Sequence, residues 1–304
     1  DNSSILGFTT SPSGSGTISG SVQMDNGSPF YEVGVSDALW GSLEQSRPAT
    51  VATTTTDSDG EFSQTPLALG WHYLTYSMSG YFDVNQSTLL DTDGQTTELG
   101  AVRMLPDNCT RGTMSGRITD AVTGDNMSGV WTAVRDGIFE NISPSNWSGF
   151  SGGGAVDLNG AWSVNKDAGW YTMKAYKSGY YTGHFSVYSC GNQPDQNNSL
   201  SEILNEGEMR IMLSWPKTNP QTATDLDSHL QIPDNASSTF HVHYPNSAKT
   251  FYYAKNTYEC NSCSTAQLSD NVTIDKDHNT NSTPPAPPGD ETVTISKVRS
   301  GTYS

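Results

Sequence analysis

Long apolar runs are absent from this sequence. No segment approaches the roughly 18 to 20 consecutive apolar residues of a membrane span, and no charged-then-apolar leader opens the chain. Positive charge is scarce too: 15 Lys and Arg stand against 32 Asp and Glu in 304 residues, a net charge of −17. Such a surface repels nucleic acid and anionic membranes, so neither nucleic-acid binding nor membrane insertion is expected. Catalytic signatures are missing as well. There is no H-E-x-x-H, no P-loop and no Gly-rich dinucleotide loop, so the chain reads as no enzyme. The competing reading is that any acidic sequence offers carboxylate pairs of the kind used in glycoside hydrolysis.

Apolar residues make up only 34% of the chain, yet 7 Trp, 14 Tyr and 9 Phe supply enough aromatic volume for small cores, which excludes a disordered chain. Ser and Thr abound, Gly numbers 29, and apolar residues do not recur at helical period. Short strands joined by Gly, Asn, Asp and Ser turns are the expected texture. The fold class is therefore all-β.

The sequence also repeats itself. "GTISGSV" at 16–22 returns as "GTMSGRI" at 112–118, "DSDGEFS" at 57–63 as "DLNGAWS" at 157–163, and "GWHYLTYSMSGYF" at 70–82 as "GWYTMKAYKSGYY" at 169–181. Three landmarks in one order, each 96 to 100 residues further on, mark two copies of one unit. Ile18 and Val22, like Met114 and Ile118, alternate as in an opening strand, with Gly20 and Gly116 where a bulge or a close backbone approach is wanted. Asp57 and Asp157 are placed to cap a turn in which Gly60 and Gly160 take positive φ.

These motifs resemble those of carboxypeptidase regulatory-like domains, transthyretin-like (Ig-like) β-sandwiches akin to the B repeats of Gram-positive adhesins. The resemblance covers residues 16–107 and 108–206 and implies spacers, stalks and binding scaffolds. Some adhesin relatives carry an internal Lys–Asn isopeptide bond, which the first copy lacks the means to make because the earliest lysine is Lys166. Residues 207–304 differ. "EMRIMLSW" opens this segment, followed by "ATDLDSHLQIP", "FHVHYPN", "VTIDKD", the Pro-rich "TPPAPPGDE" and "TVTISKVRSGTYS". It resembles a prokaryotic surface β-sandwich module with Leu-x-Trp, an Asp-Leu-Asp-x-His motif, and a later Asp-x-Asp before a Gly/Pro-rich loop ending in Glu-x-[Ile/Val]. The resemblance implies that the closing G-x-Y leads into a further strand.

Here Gly301-Thr302-Tyr303 is followed by one residue, so the third sandwich is expected to be incomplete. Val293, Ile295 and Tyr303 are expected to border its acceptor edge, which lacks a ladder partner. Residues 1–15 form a surplus extension in which Ile5, Leu6 and Phe8 belong to a strand-competent stretch, residues 4–10, with a flexible "SPSGSG" tether after it. Donor strand at one end and acceptor at the other imply a head-to-tail homopolymer, in the manner of pilus-like donor-strand filaments. Two alternatives compete: the chain is an excerpt whose continuation finishes the strand, or residues 1–15 are an ordinary disordered terminus.

The setting is expected to be extracellular, at the cell surface. Sequons begin at Asn2, Asn26, Asn85, Asn108, Asn126, Asn141, Asn146, Asn197, Asn235, Asn271 and Asn281, eleven of 21 asparagines, where chance would give about five. They imply covalent glycans, the alternative being Asn-rich turns. Cys109 and Cys190 bracket the second copy and are read as a disulfide. Cys260 and Cys263 form a C-x-x-C without a second such pair or a βαβ pattern, and are read as a local disulfide.

Two sets of ligand-type residues stand out. Asp225, Asp227, Asp275 and Asp277 are two D-x-D pairs at strand spacing, able together to hold calcium; turn capping is the rival reading, and no other cofactor is implied. His241 and His243 share a strand face at a spacing zinc or copper uses, and His229 is a candidate to join them, but no third ligand is fixed by sequence and a polar strand face is the rival reading. Trp40, Trp131 and Trp147 are candidates for stacking on sugars, which would make the protein a surface adhesin or stalk rather than a filament subunit.

Overall fold

The computed structural model describes residues 14–40, 50–139, 148–215, 226–234, 238–244, 249–277 and 289–304. The expected donor residues Ile5, Leu6 and Phe8 lie outside them, as do Asp225 and sequons Asn2, Asn141, Asn146, Asn235 and Asn281. The fold is all-β apart from one short helix among the described residues. Its first eight strands are β1 (Ser15–Gln23), β2 (Gly34–Trp40), β3 (Thr50–Thr55), β4 (Glu61–Ala68), β5 (Gly70–Ser77), β6 (Val84–Leu90), β7 (Thr96–Glu98) and β8 (Val102–Arg103). The next eight are β9 (Gly112–Asp120), β10 (Trp131–Asp136), β11 (Ile138–Phe139), β12 (Ser151–Ala155), β13 (Ala161–Lys166), β14 (Gly169–Tyr176), β15 (Gly183–Ser189) and β16 (Asn198–Leu200). The last group is β17 (Met209–Trp215), β18 (Leu230–Pro233), β19 (Thr239–Val242), β20 (Thr250–Tyr252), α1 (Thr265–Leu268), β21 (Asn271–Lys276) and β22 (Gly289–Ile295).

The sequence repeat is also a repeat of topology. In the first copy β4-β1-β7 faces a sheet of order β3-β2-β5-β6; in the second, β13-β9-β16 answers β12-β10-β14-β15. Opening strands β1 and β9 each pair antiparallel on one side and parallel on the other. The turn landmark is reproduced bond for bond. Asp57 Oδ1 accepts from the backbone N–H of Asp59 and Glu61, and Asp157 Oδ1 from those of Asn159 and Ala161. Gly60 and Gly160 then sit at φ of 74° and 72°. A Cβ on either would lie 2.5 Å from the carbonyl oxygen of Val22 or Ile118, so only glycine closes this turn against the opening strand. Gly116 serves close approach, since a Cβ there would run into the Gln196 carbonyl; the bulge of β1 falls instead between Gly16 and Ile18.

Three apolar cores follow the chain, one from Ile18 to Met104, one from Met114 to Leu200 and one from Leu230 to Ile295. Alternation explains each: along β4, for example, Phe62, Gln64 and Leu67 are buried between exposed neighbours. A buried polar pair lies within the first repeat. His72 Nδ1 lies 2.7 Å from Asp37 Oδ2 and its Nε2 2.8 Å from the Ala68 carbonyl, with both side chains fully buried. By strand pairing the equivalent sites of the second repeat, 97 and 99 residues further on, hold Val134 and Tyr171, and the Tyr171 hydroxyl donates to the Asp167 carbonyl as His72 meets that of Ala68.

Neighbouring segments are tied together. β11 pairs in parallel with β6, Phe139 is buried, and Trp170 packs on the first core while its Nε1 donates to the Arg103 carbonyl at 2.7 Å. Thr292 Oγ1 donates to the Ala121 carbonyl at 2.5 Å, and Arg210 Nη1 to Ser201 Oγ at 2.8 Å. The cysteines are joined as Cys109–Cys190 and Cys260–Cys263.

One sequence expectation is corrected here. Val293 and Ile295 do not border an open edge. Their strand β22 is central in the order β17-β22-β21-β20, with Val293 opposite both Ile211 and Ile274, and Ile295 opposite both Met209 and Val272. Alternating Val and Ile residues mark a strand but carry no information about how many neighbours it has.

Candidate functional site

Among the described residues, a row of exposed apolar side chains in the third segment lies elsewhere, on β17. Residues directly opposite in an antiparallel pair project from the same face, so Met209, Ile211 and Leu213 share the face of Ile295, Val293 and Glu291. Those three β22 partners are buried at 0%, 2% and 2% exposure, whereas the β17 residues are exposed at 40%, 40% and 38%. The reason is the width of the opposing layer. In a sandwich, inward side chains are covered by the second sheet, and here that sheet has only β18 and β19 among the described residues. β19 packs towards β20 and β21, so the gap falls at the β17 side. Covering the exposed fractions of three aliphatic side chains would be worth about 2 to 3 kcal/mol.

In the second sheet, β18 has no strand partner other than β19 among the described residues. Leu230 and Ile232 pair with Val242 and Phe240, leaving Gln231 to direct its backbone polar groups outward. There Gln231 N donates to the Ser304 carbonyl at 2.7 Å and Ser304 N to the Gln231 carbonyl at 3.1 Å, a mutual pair that opens an antiparallel ladder. A fixed corner delivers this backbone. The Tyr303 hydroxyl bridges Arg299 N and O at 2.8 and 2.9 Å, Tyr303 packs on the third core, and Arg299 lies 3.2 Å over the Tyr253 ring while binding both Asp270 oxygens at 2.7 and 2.9 Å. Tyr303 thus immediately precedes the residue whose backbone pairs with β18.

Of the two D-x-D pairs, Asp225 lies outside the described residues, and Asp227 meets Asp277 but not Asp275. One oxygen each from Asp227, Asp277 and Glu291 lie within 4.8 Å of one another. Asp275 is excluded by a β-bulge between Ile274 and Lys276, which inverts the alternation so that it meets Thr294 and Arg210 on the opposite face. Glu291 belongs to the Glu-x-Val hallmark noted in the sequence, but strand spacing alone does not bring it to the aspartates. Its Oε2 accepts from Ser228 N at 2.5 Å and from Ser228 Oγ, and burial, then Asp277 and Asp227, push its carboxyl upward. Lys249 Nζ already neutralises Asp277 at 2.7 Å. The oxygen set suits a hard cation.

The three histidines do come together. His229 Nδ1 and His241 Nε2 are 3.0 Å apart, His243 is stacked on His229 with ring centres at 5.3 Å, and His241 and His243 are 4.3 Å apart. Burial and the two neighbouring imidazoles hold His241 below the ordinary histidine range.

Among the sequons, Asn26, Asn108 and Asn126 are exposed. Asn85, Asn197 and Asn271 are half-buried and hydrogen-bonded: Asn85 Oδ1 accepts from Thr75, Asn197 Oδ1 from Arg117 N, and Asn271 Nδ2 donates to the Leu268 carbonyl. Trp131 stands on the surface at 53% exposure, directly across the strand pair from Tyr176 at 46%. The side chains of Trp40 and Trp147 lie outside the described residues. No described helix is long and apolar enough to cross a membrane.

No family model matches the chain, and no curated protein matches it. Among solved structures, it is similar to the TIE protein of Bacillus anthracis at 14% identity, over 77% of this chain and 42% of that one, with a TM-score of 0.24. A streptococcal ancillary pilin matches at 14% identity over 63% of each chain with a TM-score of 0.25. The shaft pilin SpaA of Lactobacillus rhamnosus GG matches at 12% identity over 62% of this chain and 98% of its own, with a TM-score of 0.25. This chain thus spans less than two thirds of the first two.

Proposed function

We propose that this chain is a non-catalytic structural subunit of a secreted, N-glycosylated filament at the cell surface, assembled head to tail by strand donation. In this reading residues 4–10 of one copy lie along β18 in the next and cover Met209, Ile211 and Leu213. One observation carries it: inward-facing apolar side chains of β17 left 38% to 40% exposed, in a segment whose β18 has no strand partner beyond β19 among the described residues. The proposed donor fits there, because Leu6 and Phe8 alternate onto one face and its backbone can extend the ladder that Ser304 opens. Donor and acceptor occupy opposite ends of the chain, so the contact propagates as an open polymer unless the rotation closes a ring.

Deleting residues 1–10 is the test. Negative-stain microscopy should show filaments from the full chain and none from the deletion, and adding a peptide of residues 1–13 should protect the backbone amides of β18 in the truncated protein. Filaments of normal length from the deletion sink the proposal. A second reading, a carbohydrate-binding stalk, draws on the exposed Trp131–Tyr176 pair, a surface able to stack on a sugar ring. A glycan-array signal that disappears in Trp131→Ala supports it.

A further inference from the structure

We propose that His229, His241 and His243 form a binding site for one transition-metal ion of the zinc or copper kind on the outer face of the β18–β19 hairpin. The pairing dictates the arrangement. Leu230 is opposite Val242 and both are buried with Ile232 and Phe240, so Gln231 and His241 face outward. The same register carried one residue further sets His229, just before β18, across from His243, just after β19. His241 then lies diagonal to His229 and two residues from His243 on one strand face. The parallel stacking of His229 on His243, with 5° between ring planes, is what that cross-strand register produces.

The nitrogen geometry is that of ligands. Two imidazoles on one tetrahedral ion at about 2.0 to 2.1 Å hold their nitrogens roughly 3.3 Å apart, and His229 Nδ1 and His241 Nε2 are 3.0 Å apart. One of these nitrogens carries a proton in the metal-free hairpin, and an ion takes the place of that proton. His243 is prepared as the third ligand: its Nδ1 donates to the Tyr244 carbonyl, which fixes the tautomer and leaves the Nε2 lone pair for a metal. Its half-exposed side chain has only to turn for that nitrogen to join the pair. Three imidazoles with one position left to water select Zn²⁺, Cu²⁺ or Ni²⁺, whereas the Asp227, Asp277 and Glu291 oxygens suit hard cations.

The full chain titrated with Co²⁺ should take up one equivalent with the intense visible absorption of a low-coordinate nitrogen site, bleached by Zn²⁺. Bound Cu²⁺ should show nitrogen hyperfine structure in its electron paramagnetic resonance spectrum. His241→Ala and His229→Gln should each weaken Zn²⁺ binding by more than the roughly tenfold that loss of an outer-shell partner costs, while Asp277→Asn leaves it unchanged. Circular dichroism checks that the variants remain folded, as substitutions on an outer face should allow. Absence of a saturable one-to-one phase overturns the site, as does an affinity that follows Asp277→Asn and ignores the histidines.

Discussion

The two repeats and the third segment bury their sheets to different extents, although all are built from alternating strands. In the second repeat every inward residue of the central strand β14 is covered, with Tyr171, Met173 and Ala175 at 5% exposure or less. In the third segment the inward residues of β17 stay near 40% exposed. The strands do not differ in apolar content; among the described residues the opposing layers differ in width, three strands against two. An apolar strand is therefore a request for burial, and whether it is met depends on the element across the core.

The largest effect expected from breaking this comparison comes from the disulfides. Loop length alone assigns about 4.5 kcal/mol to a bridge of the Cys109–Cys190 span and about 2 kcal/mol to one of the Cys260–Cys263 span. Cys109→Ser with Cys190→Ser should accordingly speed amide exchange throughout the second repeat and leave the first close to wild type. Equal loss in both repeats would show that they unfold as one unit.

Next in size is the polar pair that distinguishes the first repeat from the second. Asp37→Val alone leaves His72 Nδ1 buried without its partner and should cost about 3 kcal/mol. Adding His72→Tyr, which installs the second repeat's own pair, should recover most of that loss in urea denaturation. Failure of the double variant to recover would mean that the two repeats do not share a core environment at this point.

A smaller contrast separates β22 from β17. Ile295→Val should cost about 1 kcal/mol as a buried methylene deletion, and Ile211→Val, at a residue 40% exposed, much less in the isolated subunit. If strand donation covers Ile211, the two costs should converge in assembled material, read as the denaturant midpoint of filament dissolution.

A contrast of a different kind is one of pH. Burial, then the charge of Lys174, lowers His184 to about 4. In the unfolded chain the imidazole titrates near 6.5, so unfolding takes up a proton between these values. The stability of the second repeat is thus fully present above about 6.5, falls as pH drops from there to about 4, and levels off below. Thr75 and Asn85 occupy the equivalent cross-strand sites in the first repeat. His184→Asn should flatten the pH profile of the second repeat, and an unchanged slope in that variant would rule out His184 as its source.

Local chemistry made much of this fold legible. The Asp-x-x-Gly turns, the opening strands with their close-approach glycine and the Gly-Tyr turns could be read because each depends on residues within a few positions of one another. Ser264 and Gln267 form a capping box that starts α1, a signal present in "STAQ" but overlooked in a chain read as all strand. Glu291 was visible as a motif member but not as a neighbour of Asp227 and Asp277. The bulge at Asp275 left no mark in the sequence, because an inserted residue is defined by the strand opposite it. Val293 and Ile295 were misplaced for the same reason.

By itself, then, the sequence determined which segments are strands, where they turn and that one unit occurs twice, since φ preference, alternation and side-chain-to-backbone bonds act over short distances. Only the tertiary structure decided which strands became neighbours. That choice put β22 in the middle of its sheet, left β17 uncovered and drew three histidines from two strands onto one face. Pairing and coverage are settled by contacts between residues far apart in the chain, and no local pattern records how many neighbours a strand will find.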